Sequence, residues 1–411
     1  MISGFAFVRA LKESATADAR RVIVAKGLRA AADGYVSIVL PAYLLLLGRN
    51  PFEIGALMTA TLAGSALLTL SAGAITRRIG ERRALIGASV LMMVTGIGFA
   101  QISDFWPLLV VAFAGTLNPS SGDVSIFLPL EQSLLARSVG DRDRTMLFAI
   151  YSVSASVMGA LGTLIARAPD FMGRFGVERL TAMRGLFLLY ALIGFAAALL
   201  YAGVAETHAS RDRPAPSRLG PSRNIVYRLT ALFCADSFGG GFLVQSILAL
   251  WLFERFHLPV STAAAIFFWT NLLTAASYFA AVPVSRRFGL VNTMVFTHLP
   301  ANACLLLIPF IPDLRWVIAL LFLRSALSQM DVPTRTSYVM AVVTPPERPA
   351  AASLTAVPRS LASAIGPILA GSLLGFSSFG WPLLIGGAVK AGYDLTLLAA
   401  FRHIRPPEEQ H

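Results

Sequence analysis

Four carboxyl groups interrupt long apolar stretches of the chain: Asp33, Glu131, Asp236 and Asp331. The protonation of a carboxyl group in such surroundings depends on its burial and on nearby cations. Cations and an amide lie in the same stretches. They are Arg29, Gln132, Arg335 and Arg359. These eight side chains are our candidate site for reversible proton binding and for binding of a small polar molecule, because charges within apolar segments usually face a cavity or a partner.

Three acid–base pairs are spaced four residues apart, which places both members on one face of a helix. They are Arg29–Asp33, Asp331–Arg335 and Lys390–Asp394. For Lys390 and Asp394 we expect a structural ion pair. For Asp33 and Asp331 a local pair and a role in the candidate site are equally open, because an ion pair within one helix still needs water or a cavity.

The composition indicates that lipid is the solvent of most of the chain. Of its 411 residues, 56% are hydrophobic and only 14% are charged, with a mean hydropathy of +0.68. This is too little polar material to cover a soluble globule. The net charge of +12 favours loop arginines that face the cytoplasm and anionic headgroups. No basic run is interleaved with aromatic residues, so nucleic-acid binding is not expected.

Apolar runs of about 20 residues, enough to cross a bilayer, recur along the chain. We predict an all-α membrane protein with twelve transmembrane helices. The predicted spans are 27–48, 52–75, 84–102, 106–136, 146–167, 184–204, 226–252, 260–282, 291–311, 315–343, 350–374 and 381–401. The fourth and tenth are long and are interrupted by polar residues and by a proline, Pro129 or Pro333.

The basic residues predict how these helices are oriented. Lys and Arg concentrate on the cytoplasmic side of short loops, and they do so here if both termini are cytoplasmic. The longest polar stretch, 205–225, reads as a cytoplasmic linker between an N-terminal six-helix bundle, 1–204, and a C-terminal one, 226–411. The first 25 residues lack the apolar middle of a signal peptide.

The two halves repeat the same landmarks. The run "ITRRIG" at 75–80 returns as "VSRRFG" at 284–289, and "ADGY" around Asp33 returns as "ADSF" around Asp236. Pro129 and Pro333 are separated by nearly the same number of residues as the members of these two pairs of runs. The repeats run in the same direction, so we predict two pseudo-symmetric bundles of one fold.

The loop after the second predicted helix reads "GAITRRIGERR" from Gly73 to Arg83. Its glycines and cations resemble the hallmark loop of the major facilitator superfamily of secondary transporters, and the likeness covers nearly the whole chain. Arg77 stands where that family usually has Asp, and Glu81 where it usually has a cation. The candidate gate loop contains Gly73, Arg77, Arg78, Gly80, Arg82 and Arg83, and its repeat contains Arg286, Arg287 and Gly289.

The physics of this loop predicts two kinds of contact. Gly73 and Gly80 permit a close approach or a tight turn. The arginines can meet anionic lipid or the carbonyl ends of neighbouring helices. We therefore expect a conformational latch at the cytoplasmic gate, with topology anchoring by positive charge as the alternative.

The resemblance implies that helices one, four, seven and ten line a central cavity. Asp33, Glu131, Asp236 and Asp331 lie on those helices, one on each. The run "GGG" at 239–241 follows Asp236 closely. Three glycines weaken a helix, so we expect either a helix break, as in other transporters, or a very close helix contact.

Rival functions lack their parts in this sequence. No "GxxxxGK", "HExxH" or "GxSxG" motif occurs, so we predict no enzyme, cofactor or metal site. Cys234 and Cys304 lie in apolar segments and read as small hydrophobic residues. Of the five histidines only His298 lies in a predicted helix, where we expect a structural role.

We predict a secondary transporter that works by alternating access. We expect it to be an efflux antiporter that exports a small organic solute in exchange for protons, because the loop resembles those of exporters. Two alternatives stay open: proton-coupled uptake of an organic anion held by Arg335 or Arg359, and a sensor or scaffold on a transporter fold. The excess of Arg over Lys indicates a GC-rich bacterial genome, hence a bacterial cytoplasmic membrane. We expect a monomer.

Overall fold

The structure, a computed structural model, describes residues 16–120, 125–138, 141–205, 219–344 and 347–401. Within these ranges the side chains of 141–146, 279, 282, 286, 333, 349 and 353 are not described. The described part of the chain is almost entirely helical and contains no strand. The predicted all-α class is therefore confirmed.

The helices of the N-terminal half follow the predicted apolar runs. They are α1 Ala17–Leu46, α2 Pro51–Ile79, α3 Glu81–Gln101, α4 Phe105–Ala114, α5 Phe127–Ser138, α6 Asp141–Ile165, the short α7 Ala168–Gly173 and α8 Arg179–Ala202. The turn between α2 and α3 is made by Gly80, whose φ of 83° suits a residue without a Cβ.

The helices of the C-terminal half repeat this order. They are α9 Arg223–Gly241, α10 Gln245–Phe256, α11 Val260–Phe288, α12 Leu290–Leu307, a 3-10 turn Ile308–Phe310, α13 Leu314–Leu327, α14 Asp331–Val342, α15 Arg348–Phe376 and α16 Trp381–Phe401. Gly289 makes the turn between α11 and α12 with the same φ of 83° as Gly80. The sequence repeat thus corresponds to a repeat of structure.

Three predicted spans are each built from two helices. The fourth is divided into α4 and α5, the seventh into α9 and α10, and the tenth into α13 and α14. The break in the seventh span follows Gly239, Gly240 and Gly241 directly, which confirms the expected break. The division of the fourth and tenth spans agrees with the polar residues and prolines that interrupt them.

Nine helical segments of the described residues are long and apolar enough to cross a membrane. The number twelve stays a prediction. Many large apolar side chains on the described helices are exposed, including Trp106, Trp316 and Phe376. Such a surface suits contact with lipid rather than water.

The chain forms two compact units. The first contains the described residues of 1–48, 60–211 and 259–265, and the second contains those of 49–59, 212–258 and 266–411. The residue ranges of the two units nearly coincide with those of the two predicted bundles, although each unit includes one short segment from the other half. Our boundaries at 204 and 226 stay a prediction, and residues 206–218 of the predicted linker lie outside the described part.

Each unit has its own apolar core. In the first unit it is built from α1, α3, α5, α6 and α8, with Phe127, Tyr151 and Tyr201 among its buried aromatic residues. In the second unit it is built from α9, α12, α14, α15 and α16, with Phe233 and Tyr393 in the corresponding role. Core residues of both units lie beside buried charges: Tyr151 donates to Glu131, and Phe233 lies near Arg335.

Candidate functional site

Glu131 is the centre of a buried polar cluster in the first unit. Its Oε2 accepts hydrogen bonds from Arg29 Nη2 at 2.5 Å and from the Tyr151 hydroxyl at 2.7 Å. Its Oε1 accepts one from the Tyr201 hydroxyl at 2.5 Å. The guanidinium of Arg29 also lies 3.8 Å above the ring centroid of Phe127. We call Arg29, Glu131, Tyr151 and Tyr201 the first-unit cluster.

The ion pair of the first-unit cluster is closed. The Glu131 side chain is 0% exposed and that of Arg29 is 5% exposed. One acid contacts one guanidinium, and both carboxylate oxygens have donors. A second buried cation, Lys26, lies nearby, with its Nζ 5.4 Å from the centroid of the Tyr151 ring. Because a buried charge is tolerated only when it is paired and hydrogen-bonded, this arrangement is well suited to a structural ion pair that joins α1 to α5.

Asp33 lies one turn beyond Arg29 on α1 and is half-buried. Tyr190 lies within electrostatic range of it. The expected Arg29–Asp33 pair stays a prediction, and the ion pair that the structure gives Arg29 is the one with Glu131 on another helix. Gln132, next to Glu131 on α5, is exposed, and its role in solute binding also stays a prediction.

Asp236 is the centre of a second cluster, in the second unit. One of its oxygens lies 2.5 Å from Lys390 Nζ of α16, and the other lies 3.2 Å from Arg335 Nη1 of α14. Arg335 also forms an ion pair with Asp331, one turn earlier in the same helix. The Asp331–Arg335 pair that the spacing predicted is therefore confirmed. Arg335 joins it to Asp236, and Asp236 joins it to Lys390.

Arg359 of α15 completes this group. Its Nε donates to Ser237 Oγ at 3.1 Å, next to Asp236 on α9. Arg335 and Arg359 lie on the same aromatic ring, with their guanidinium carbons 5.2 Å and 5.8 Å from the centroid of Phe233. We call Asp236, Asp331, Arg335, Arg359 and Lys390 the second-unit cluster.

Glycines position the helices that carry the second-unit cluster. A Cβ on Gly241 would overlap with the backbone of Ser363 and Gly366 in α15. A Cβ on Gly239 would lie 2.9 Å from Lys390 Cγ and 3.0 Å from the carbonyl oxygen of Gly386. Both alternatives for the "GGG" run are therefore realised: it ends α9 and it lets α15 and α16 approach closely enough to present Arg359 and Lys390.

The expected pairing of Lys390 with Asp394 is wrong. Lys390 contacts Asp236, and Asp394 contacts His298 of α12, with His298 Nδ1 2.9 Å from Asp394 Oδ1. Asn302 Nδ2 donates to Asp394 Oδ2 at 2.8 Å. Spacing along one helix does not reveal which neighbouring helix supplies a nearer partner. The partnered imidazole does agree with the structural role that we expected for His298.

The candidate gate loop has the expected turn but only part of the expected contacts. Gly80 turns the chain with nothing within 4 Å of a built Cβ, and Gly73 meets only its own neighbour Arg77, so neither glycine supports a close helix approach. Arg82 donates to the last-turn carbonyl of Ala202 at 2.5 Å, which confirms the contact with a helix carbonyl end for this arginine.

The other arginines of the loop are exposed. They are Arg77, Arg78 and Arg83 in the first unit and Arg287 in the second, where Arg287 lies over the Phe288 ring. The side chain of Arg286 lies outside the described residues. Glu81, at the departure from the family pattern, accepts from Ser133 at 2.8 Å and forms an ion pair with Arg137 of α5.

Five side chains have partners that the sequence did not indicate: Tyr151, Tyr201, Lys390, His298 and Asp394. An intramembrane lysine was a signal in itself, but its partner lies 154 positions away. A tyrosine in an apolar helix carries no such signal. Among the residues that the structure describes, no group of three metal-binding side chains occurs.

Comparisons with known proteins support this architecture. YJR124C, an uncharacterized membrane protein of Saccharomyces cerevisiae, is 24% identical over 410 residues, which cover 91% of this chain and 92% of that protein. YfmO, a multidrug efflux protein of Bacillus subtilis, is 26% identical over 394 residues, which cover 90% of each.

A solved structure of a mutant of the nucleoside transporter NupG superposes with a TM-score of 0.77 at 13% identity, covering 93% of this chain and 100% of that one. At this identity the likeness shows the shared fold. The family model of the Major Facilitator Superfamily matches residues 22–243 and 229–411. With both units matched in this way, the chain belongs to the Major Facilitator Superfamily of membrane transporters.

Proposed function

We propose that this transporter couples proton movement to the passage of a small organic solute by alternating access of its two bundles. The observation that carries the proposal is Asp236, a buried carboxylate shared by Lys390 and Arg335 close to the break between α9 and α10. Intramembrane charges in such places mark solute and proton pathways. Family membership favours this function over an enzyme.

The chemistry of the second-unit cluster suits a proton switch. When Asp236 is ionised it holds Lys390 and Arg335 in place. When it is protonated the two cations lose half of their compensation, and the helices that carry them, α16 and α14, are less tightly bound to α9. A proton can thus change which arrangement of the second unit is more stable.

We propose export as the direction of transport and proton antiport as the coupling. The support is the likeness to YfmO, which is described as a multidrug efflux protein. The proposal includes a bacterial cytoplasmic membrane, cytoplasmic termini and a monomer, as the charge pattern and composition of the sequence predict.

A second candidate function, proton-coupled uptake of an organic anion, is favoured by the charge of the second-unit cluster. One of its three cations, Arg359, has no acid in direct contact, and a bound anion would pair with it. A solute with one negative charge that moves together with one proton crosses the membrane without net transfer of charge.

Vesicles of both orientations test these proposals. A panel of labelled organic compounds is offered to everted and to right-side-out vesicles, with and without an imposed proton gradient. Accumulation in everted vesicles with an acidic interior supports export by antiport, and accumulation in right-side-out vesicles with an acidic exterior supports uptake. Gradient-independent exclusion of every compound would favour the alternative of a sensor or scaffold.

The substitutions Asp236→Asn and Asp33→Asn assign the coupling. Each removes one titratable carboxyl group while it keeps the size of the side chain. We expect Asp236→Asn to abolish gradient-driven transport in protein that still elutes as a folded species, and Asp33→Asn tests the first unit in the same way. Unchanged coupling would remove the substituted residue from the proton pathway.

A further inference from the structure

The charged residues of the second-unit cluster do not pair one to one. Asp236 contacts Lys390 and Arg335, and Asp331 contacts Arg335. A third acid, Asp394, lies nearby on α16, but its oxygens contact His298 and Asn302, and among the described residues it forms no ion pair with Arg335, Lys390 or Arg359. One cation of the cluster therefore has no acid in direct contact.

The cation without an acid in direct contact is Arg359. Arg335 and Lys390 each contact an acid directly, whereas the described contacts of Arg359 are its Nε–H bond to Ser237 and the ring of Phe233. No ion pair within 4 Å joins Arg359 to an acid among the residues that the structure describes. The terminal nitrogens of its guanidinium thus remain available.

Arg359 lies far from either end of its helix. It is 11 residues after Arg348 and 17 before Phe376, which is about 16 Å and about 25 Å along the axis at 1.5 Å per residue. This position lies within a segment that is long and apolar enough to cross a membrane. A cation without an acid in direct contact is costly in such a segment, and an anion bound to Arg359 would offset part of that cost.

The geometry of the side chain selects the chemistry of that anion. A guanidinium presents parallel N–H groups that match the two oxygens of a carboxylate, a sulfonate or a phosphate. Ser237 accepts a hydrogen bond from Nε and so orients the fork, and the centroid of the Phe233 ring lies 5.8 Å from the guanidinium carbon. Orientation of the guanidinium in advance reduces the entropy lost on binding.

We propose that Arg359, oriented by Ser237, binds the anionic group of an organic acid, and that this acid is the transported solute. This inference rests on the proposed transport function for its physiological meaning. The binding site itself is defined by the second unit alone.

Cys234 provides a probe at this place that needs no transport assay. It is half-buried on α9, and Arg359 is within electrostatic range of its thiol. The only other cysteine of the chain, Cys304, is buried. A Cys304→Ala variant therefore carries a single thiol beside the proposed anion site.

The first measurement compares labelling rates of this thiol in detergent-purified protein. The reagents are methanethiosulfonates that carry either a sulfonate or a trimethylammonium group. We expect Arg359 to favour the anionic reagent, and Arg359→Gln to reduce the ratio of the two rates on the order of tenfold. Arg359→Lys keeps the charge and should keep most of the ratio. An unchanged ratio in Arg359→Gln would overturn the proposal.

The second measurement tests protection by ligand. Benzoate, benzenesulfonate and phenyl phosphate are compared with neutral benzamide, and with sodium chloride and inorganic phosphate as sources of simple anions. We expect at least one organic anion to slow the labelling, benzamide to have no effect, and Arg359→Lys to weaken the protection because it loses the bidentate fork. Equal protection by benzamide, or protection only by inorganic phosphate or chloride, would overturn the assignment to an organic acid.

If Cys234 reacts with neither reagent, calorimetric titration of the protein with phenyl phosphate measures anion binding instead. Binding to the wild type that Arg359→Gln abolishes supports the site, and equal heats in both proteins contradict it. Because these experiments need no proton gradient, anion binding without driven transport would refute the proposed coupling alone. Driven transport of neutral solutes without anion binding would refute the inference alone.

Discussion

The two units differ in how their buried charged side chains are paired. In the first-unit cluster, Glu131 forms one ion pair, with Arg29, and accepts hydrogen bonds from Tyr151 and Tyr201. In the second-unit cluster, Asp236 is shared by two cations, and Arg359 has no acid in direct contact. The two halves of the repeat thus differ, with an enclosed ion pair in one and a network of several acids and cations in the other.

This difference suggests a division of labour. The packing around an enclosed ion pair changes little when the pH or the solute concentration changes, so such a pair suits a structural role. A network in which one cation has no acid in direct contact can respond to a proton or to a bound solute, so it suits a functional role. The following substitutions test this contrast, beginning with the one for which we expect the largest effect.

Glu131→Ala should be the most destabilising of these substitutions. It leaves Arg29 buried without its acid, and breaking a buried ion pair from one side costs about 3–5 kcal/mol. The measurement is the apparent melting temperature of purified protein in detergent. Glu81→Ala is the matched control in the same unit. Glu81 is buried like Glu131, but its partner Arg137 is 40% exposed, so the cation that remains is not buried and the loss should be smaller. Equal losses in the two variants would contradict the structural role of Glu131.

Gly241→Ala should have an intermediate effect, and it tests how the second-unit cluster is assembled. The added methyl group would overlap with the backbone of Ser363 and Gly366, and overpacking of this kind costs about 1–3 kcal/mol. Because α15 is displaced, the contact between Arg359 and Ser237 should be disturbed as well.

Gly34→Ala and Gly392→Ala are the controls for this substitution. A Cβ on Gly34 would overlap with the carbonyl oxygen of Gly159 in the first unit, whereas one on Gly392 meets nothing within 4 Å. We expect Gly34→Ala to lower the melting temperature without changing the charge preference of Cys234 labelling, and Gly392→Ala to change neither. An altered labelling preference in Gly34→Ala would break the contrast between the units.

Glu347→Gln should have the smallest effect, at a loop of the second unit outside the apolar helices. Thr344 Oγ1 donates to Glu347 Oε2 at 2.5 Å, and the backbone N–H of Gly220 donates to Oε1. These hydrogen bonds, first of all that from Thr344, lower the pKa of Glu347 from 4.5 to about 2. The ionised side chain thus connects the start of α9 with the turn before α15.

The lowered pKa fixes the sign of the pH dependence. The stabilisation by Glu347 is fully present above the ordinary pKa of 4.5 and is lost as the pH falls toward 2. We expect the melting temperature of the wild type to exceed that of Glu347→Gln at about pH 6 and the difference to shrink at about pH 3. A difference that grows on acidification would contradict the assigned hydrogen bonds.

The helical architecture could be predicted from the sequence because a helix that crosses lipid must consist mainly of apolar residues. A span needs a long apolar run, and the repeated "ITRRIG" and "VSRRFG" segments showed that two halves share one plan. The glycine run at 239–241 predicted both a break and a close contact, since glycine weakens helices and removes the Cβ that keeps them apart.

The partners of the charges could be predicted only within a helix. Asp331 and Arg335 share a face, so their pairing follows from spacing. The choice of Asp236 by Lys390, and of Glu131 by Arg29, depends on how different helices pack. That packing is set by small residues such as Gly239 and Gly386, and a single sequence does not report which glycine faces which helix.

The contrast between the two clusters is tested most directly by comparing Glu131→Gln with Asp236→Asn in one preparation, with both melting temperature and proton-driven transport measured per folded molecule. Both substitutions break a buried ion pair and should lower the melting temperature. We expect Glu131→Gln to retain driven transport per folded molecule and Asp236→Asn to lose it. Loss of driven transport in Glu131→Gln together with full driven transport in Asp236→Asn would contradict this contrast.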